Sequence, residues 1–244
     1  MGRTVASDSE ALPAPLHIGA LPTTLVSLVA PVVVGLQQQS PGWRMQVSTL
    51  ANDALMMAVR SGQLTLGIGR MSDPSRMEGS ISSCCIMKRC GWWFPHHPLL
   101  HADVTLAEAL SWPLVLSPRG TVPRQNAEAL IVSHGLAVPE GCVETLSVTL
   151  ARCLTLQYGY VWLVPYGAVR DDLFGNHLRA LPLPTQGMAE PLGIITRQEA
   201  FTPLSSSAWS QRCVREYWMC RYKRLFYSTG GCPASCSAKT DCAK

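Results

Sequence analysis

Apolar and polar positions follow one another along this chain in two rhythms, a short unbroken apolar run and a longer run with helical spacing. Residues 16–21 (LHIGAL) form the first kind. Residues 24–41 (TLVSLVAPVVVGLQQQSP) form the second, and SPGW ends it. The pattern predicts a buried strand and then a helix weakened in its middle by Pro31. Residues 44–50 (RMQVSTL) alternate as a second strand. Residues 52–63 (NDALMMAVRSGQ) predict a helix opened by an Asn52 or Asp53 cap and closed near Gly62, and 64–69 (LTLGIG) a third strand. Strands separated by single helices imply a parallel sheet with right-handed crossovers, and hence an α/β lobe.

After a turn at 70–79, residues 80–94 (SISSCCIMKRCGWWF) make one long β-like segment that ends at PHHPLL, and the alternation restarts. Helices are predicted at 105–112, 122–136 and 147–159, between strands at 113–118, 141–146 and 160–165. Two more strands at 178–184 and 191–197 precede a closing helix at 205–218 that carries Trp and Tyr. A second α/β lobe follows from this series.

Length allows one large domain or two lobes, since 244 residues can bury a sizeable core either way. With 47% hydrophobic and 15% charged residues the chain belongs with globular proteins and away from disordered ones. The net charge of +4 is spread without a basic cluster, so no nucleic-acid groove is written in the sequence. No apolar run reaches the ~18 residues of a membrane span. Residues 1–15 lack the apolar core of a secretory signal and read as a flexible leader, which makes a cytoplasmic location the expectation.

Among ten cysteines, Cys84, Cys85, Cys90, Cys142 and Cys153 show no CxxC spacing and read as small buried hydrophobes. Cys232, Cys236 and Cys242 fall in a Gly- and Ser-rich tail at spacings that match no common zinc pattern, so a disordered tail is expected over a metal site. His96 and His97 are adjacent in a Pro-bounded turn and diverge. There is no GxSxG, no P-loop and no complete dinucleotide fingerprint. Neither an enzyme, a cofactor nor a bound metal is expected.

Taken in order, LHIGALPT, PGWRMQV, ALMMAVRSGQLTLGIGRMSDP, HPLL, GCVETLSVTLARCLTLQYGYVWLVP and EPLGIITR resemble the effector-binding part of LysR-type transcriptional regulators. The resemblance runs from about Leu16 to Trp218. GALPT with GRMSDPSRM is similar to the branch that governs catabolism of aromatic acids and some sugars. The resemblance implies two α/β subdomains of periplasmic-binding-protein type, joined by two crossover segments near 85–95 and 189–197, with a small-molecule effector in the cleft between them. Subdomain I would take 16–88 and 192–218, subdomain II would take 89–191, and 219–244 would be the tail. It also implies a homodimer in which the first helix and second strand of one copy meet the other lobe of its partner. Members of the family begin with a winged helix-turn-helix. This chain opens a dozen residues before its first strand, so direct DNA binding by this chain alone is not expected. The first crossover, CIMKRCGWWFPHHPLL, also departs from the family's Arg-Pro-Gly-His-Pro-Leu. Two alternatives stay open, a free-standing solute-binding protein and a non-functional truncated remnant.

Open α/β sheets bind ligands where strand C-termini meet helix N-termini, because free N–H groups and the helix dipole favour negative charge there. Pro22, Thr23 and Thr24 lie at such a junction, where Thr23 can cap the helix, hold an effector carboxylate, or do both. Gly120 and Thr121 repeat the design in the second lobe, with Arg119 or Arg124 adding a charge-assisted bond or remaining solvated. Ser147 would cap a third helix and, by the resemblance, face the cleft, with Pro165 and Tyr166 as a wall. Arg70 ends the third strand and either reaches the effector or pairs with Asp73.

Overall fold

Short apolar strands gather into two separate five-stranded sheets, one per lobe. The computed structural model describes residues 15–39, 41–71, 80–88, 90–94 and 104–197. The first sheet has the order β2 (Met45–Thr49), β1 (Leu16–Ala20), β3 (Leu66–Arg70), β10 (Glu190–Arg197), β4 (Ser80–Lys88). The second has the order β7 (Val143–Glu144), β6 (Leu114–Leu116), β8 (Val161–Pro165), β5 (Cys90–Phe94), β9 (Arg179–Ala180). The sheets are mixed, not wholly parallel as the helix-separated strands suggest. β1 runs parallel to β2 and β3, but β10 is antiparallel to both β3 and β4. β5 is likewise antiparallel to β8 and β9. β5 and β10 are the strands that follow a passage from one sheet to the other, so they enter from the far end.

The β-like run 80–94 is thus two strands in different sheets, the first ending at Lys88 and the second starting at Cys90. The return passage lies between Ala180 and Glu190. Glu190 and Pro191, which the sequence reading places in the second lobe, pair with Lys88 and Met87 in the first sheet.

Pro31 does not break the first helix, because the helix changes its pitch ahead of it. A 3-10 turn (Pro22–Thr24) leads into a π-helical turn (Leu25–Val29), with the Ala30 N–H bonded to the Leu25 carbonyl, and then into α1 (Ala30–Gln39). Pro31 becomes the second residue of the regular α segment, near the end of a helix where a missing N–H is tolerated. α2 (Asn52–Arg60) buries Leu55, Met56 and Val59 on one face, but its predicted side-chain cap is not formed. Ala51 holds the cap position, and Asn52 Oδ1 instead accepts the Arg70 backbone N–H at 2.8 Å, which ties α2 to the end of β3.

The second lobe carries α3 (Leu106–Leu110), α4 (Val122–Ser133), α5 (Val148–Tyr158) and α6 (Arg170–Phe174). α5 closes on Gly159 at φ 73°, a conformation that favours glycine. Alternate residues of the central strands feed two cores, one on each face of this sheet. Trp92, Leu114 and Leu163 belong to one, and Trp93, Val115 and Trp162 to the other. That double burial is why β8 is apolar throughout. Both indoles are satisfied, Trp92 Nε1 donating to the Pro184 carbonyl at 3.1 Å and Trp93 Nε1 to that of Val164 at 2.8 Å. The first lobe has its own core around Ile18, Leu28, Leu36, Leu55 and Ile68.

Cys90 is buried as expected, but Cys142 and Cys153 are half-exposed. Cys142 comes just before β7 and packs at the margin of the second-lobe core, and Cys153 lies within α5. Among the described residues no helix is long and apolar enough to cross a membrane. The predicted closing helix 205–218, the tail, the leader up to residue 14, His96, His97 and Asp73 lie outside the described residues.

Candidate functional site

Between the lobes lies a cavity of about 230 Å³ whose floor and walls are strand ends and helix starts. The first lobe contributes Pro22 and Thr23 after β1, Asn52 and Asp53 at the start of α2, and Arg70 at the end of β3. The second contributes Gly120 and Thr121 before α4, Thr145 and Ser147 before α5, and Trp162, Val164 and Pro165 from β8. Seven of the residues singled out from the sequence therefore line one space.

Thr24 and Tyr166 do not. Thr24 is fully buried, with its hydroxyl donating to the Leu21 carbonyl at 2.7 Å, so it closes the 3-10 turn from inside the first lobe. Tyr166 opens a 3-10 turn (Tyr166–Ala168) that packs against residues 22–29 across the lobes, and its ring is tilted against Trp93 at 6.2 Å. It belongs to the contact that brings the lobes together.

Three helix N-termini of nine residues or more point into the cavity region, each finished differently. Ser147 caps α5, its Oγ accepting the Leu150 N–H at 3.2 Å. Thr121 occupies the cap position of α4 but makes no cap bond. Its hydroxyl donates backward to the Pro118 carbonyl at 2.7 Å, which fixes the turn and leaves the first amides of α4, those of Val122 and Arg124 on either side of Pro123, without a cap bond from Thr121. Gly120 sits in that turn at φ 81°. At α2, Asn52 is engaged with Arg70 as described.

Arg70 is the cation of the cavity. Its Nε donates to Glu190 Oε2 at 2.7 Å, with Asp73 outside the described residues. Arg119 and Arg124 do not line the cavity. Arg124 is buried inside the second lobe, its Nε bonded to Glu128 at 2.6 Å and its Nη1 to Glu144 at 2.8 Å. Burial works to lower its pKa, but the hydrogen bond to Glu128 and the neighbouring charges raise it overall. Glu144 also accepts the Arg119 backbone N–H at 3.1 Å. That bond first, and then the charge of Arg124, holds its carboxyl below the ordinary value of 4.5.

The sign of the pH effect follows. A carboxylate with a depressed folded pKa stabilises the chain above its unfolded value, and the gain is lost as pH falls through the folded one. A Glu144→Gln variant will melt below the parent at neutral pH, and the gap will close on acidification through and below the ordinary carboxylate range. A gap that stays constant with pH would exclude the ionised network as its source.

Asn52, Asp53, Gln125, Thr145 and Trp162 also line the cavity and were not expected there. For Asn52 and Asp53 the signal was available, since they follow a strand end just as Thr23 and Thr121 do. Trp162 is one apolar position within an apolar run and carries no such mark.

The family profile of the LysR substrate binding domain matches residues 10–218. The chain belongs to this family. Its two-lobed α/β architecture is that of a LysR effector-binding domain, of periplasmic-binding-protein type. The LysR domain is 44% identical over 191 residues to the uncharacterized HTH-type transcriptional regulator YdcI of Escherichia coli K12, covering 76% of this chain and 61% of that protein. It is 24% identical over 215 residues to the HTH-type transcriptional regulator PcaQ of Agrobacterium fabrum, covering 87% and 69%. Among solved structures, the BenM effector binding domain with its effector benzoate superposes with a TM-score of 0.63 at 21% identity, over 90% of this chain and 96% of that one. That likeness is one of fold.

Proposed function

We propose that this LysR domain senses a small carboxylate held between its lobes, and that lobe closure around the acid sets the state of a transcriptional regulator. The observation that carries the reading is the pairing of Arg70 from one lobe with the uncapped amides of α4 from the other across a single cavity. A carboxylate touching both lobes interacts more strongly with the closed arrangement than with the open one, and only such a difference can shift the balance. Trp162, Val164 and Pro165 offer an apolar wall to the body of the acid. A space of about 230 Å³ is smaller than the usual drug-sized pocket and suits a single-ring or short-chain acid. Benzoate, the effector in the BenM structure, is of this class.

The same reading takes subdomain I as 16–88 with the stretch from Glu190 to 218, subdomain II as the residues between, a cytoplasmic location, and a homodimer. Support for the dimer comes from Val26, Val34 and Val47, apolar and exposed along the first helical segment and the edge strand β2. Three well-packed cores, one in the first lobe and two in the second, favour a folded sensor over a degenerate remnant.

The test is thermal unfolding of the full chain against benzoate, protocatechuate and muconate. A ligand of the native state raises the midpoint with concentration. Thr121→Ala, which frees the α4 turn from Pro118, will weaken the effective acid about fivefold, the worth of roughly one net hydrogen bond. No rise with any acid refutes the carboxylate reading.

A further inference from the structure

We propose that Glu190 is a positioning residue of the effector site, acting through Arg70; this rests on the carboxylate reading above. Arg70 is the one cationic side chain lining the cavity among the described residues. Its Nε is committed to Glu190 Oε2 at 2.7 Å, and the two side chains are 11% and 1% exposed. Its main chain is held separately by Asn52. Arg70 is thus fixed at its backbone and along its Nε edge, while neither Nη has a hydrogen-bond partner among the described residues. A guanidinium carries five donors in a planar fork, so one held at Nε still presents an Nη pair to a second carboxylate.

Glu190 does not itself line the cavity. It lies in a recess behind it, and the two spaces share Ser117, Pro123, Val164 and Pro165 as a common wall. It is also the first residue of β10, paired with Lys88 at the end of β4, so it stands where both passages between the sheets come together. Its Oε1 is buried with no hydrogen-bond partner among the described residues. Stability alone does not account for that, because a half-satisfied buried carboxylate is a poorer solution than an apolar pair of the same volume. The geometry supplies the other reason. A carboxylate at this point aims the cleft's cation, and it does so from the hinge that lobe closure must bend.

The experiment follows the Arg70 Nε–Hε signal by NMR in full-length chain labelled with 15N-arginine, assigned by its loss in Arg70→Lys, during titration with benzoate and protocatechuate. In the parent the signal will be well dispersed and will move with added acid. Glu190→Ala will weaken binding at least about tenfold and return the signal toward the position of free arginine. Glu190→Gln, which keeps an acceptor oxygen for Nε, will bind within about threefold of the parent. Glu190→Leu, which fills the recess, replaces the Ala variant if that one does not fold, with the same expected loss. A folded Glu190→Ala or Glu190→Leu chain that melts lower but binds with the parent's affinity makes the pair purely structural and overturns the proposal. A parent that binds neither acid overturns the carboxylate reading as well, and the parent titration tells the two failures apart.

Discussion

An Arg70→Ala chain will melt well below the parent and will gain no stability from benzoate or any other small carboxylate. The two effects have separate causes. Glu190 is almost wholly buried, and Arg70 is its only ionic partner among the described residues, so truncation strands a carboxylate in an apolar recess. Breaking a buried pair from one side costs about 3–5 kcal/mol, which in a chain of this size lowers the melting temperature by on the order of 10 °C. The ligand response is lost because no other cationic side chain among the described residues lines the cavity. Charge-assisted bonds of this kind contribute about 1.5–3 kcal/mol, equivalent to roughly ten- to a hundredfold in affinity. A double variant, Arg70→Met with Glu190→Leu, separates the two: with no charge left in the recess it regains most of the melting temperature, and it stays unresponsive to acid. Calorimetry with and without benzoate reads both quantities, and an Arg70→Ala chain that keeps the parent's ligand shift would place the anion elsewhere.

Trp92→Ala will be the most damaging single substitution in the second lobe. The indole is fully buried in β5, within the core that includes Leu114 and Leu163, and it donates to the Pro184 carbonyl. Removing it leaves a cavity that neighbouring strands cannot collapse, since β5 is pinned between β8 and β9. Large-to-small changes of this kind cost about 3–5 kcal/mol. Trp92→Phe, which keeps much of the ring volume and loses only the N–H, will recover more than half of that. Urea unfolding followed by circular dichroism checks both, and a Trp92→Ala midpoint indistinguishable from the parent's would show that this core does not limit stability.

Strand and helix positions were legible in the sequence wherever a strand is buried on both faces, as with Val161–Pro165, or a helix shows one apolar stripe, as with Asn52–Arg60. Junctions between them marked Thr23, Arg70 and Thr121 as site candidates, and the family resemblance placed a cleft between the lobes and turned Ser147 toward it. Features that depend on distant partners were not legible. Nothing in the run 80–94 marks which residue leaves one sheet for the other. Arg124 sits near a helix start and reads as a surface cation, yet it is buried because Glu144, twenty residues on, is there to meet it. Of two adjacent threonines one faces the cleft and the other the core, a matter of the roughly 120° rotation per residue of a 3-10 turn whose phase is set only by packing. The five residues of α6 are too few to show a period.

The place of β10 in the first sheet has a consequence for how the chain is made. Among the described residues β4 pairs with no strand but β10, and β10 alone joins it to β3. On the ribosome, every strand of the second sheet has emerged before Glu190 appears, so that lobe can complete itself while residues 80–88 wait with both edges unpaired. Lys88 and Glu190 then meet across about a hundred residues of already folded chain, a pairing of high contact order and correspondingly slow. An open strand edge held for that long is a template for the same segment of a neighbouring nascent chain. The strand that closes the first sheet is therefore also the one whose late arrival exposes the chain to aggregation during synthesis.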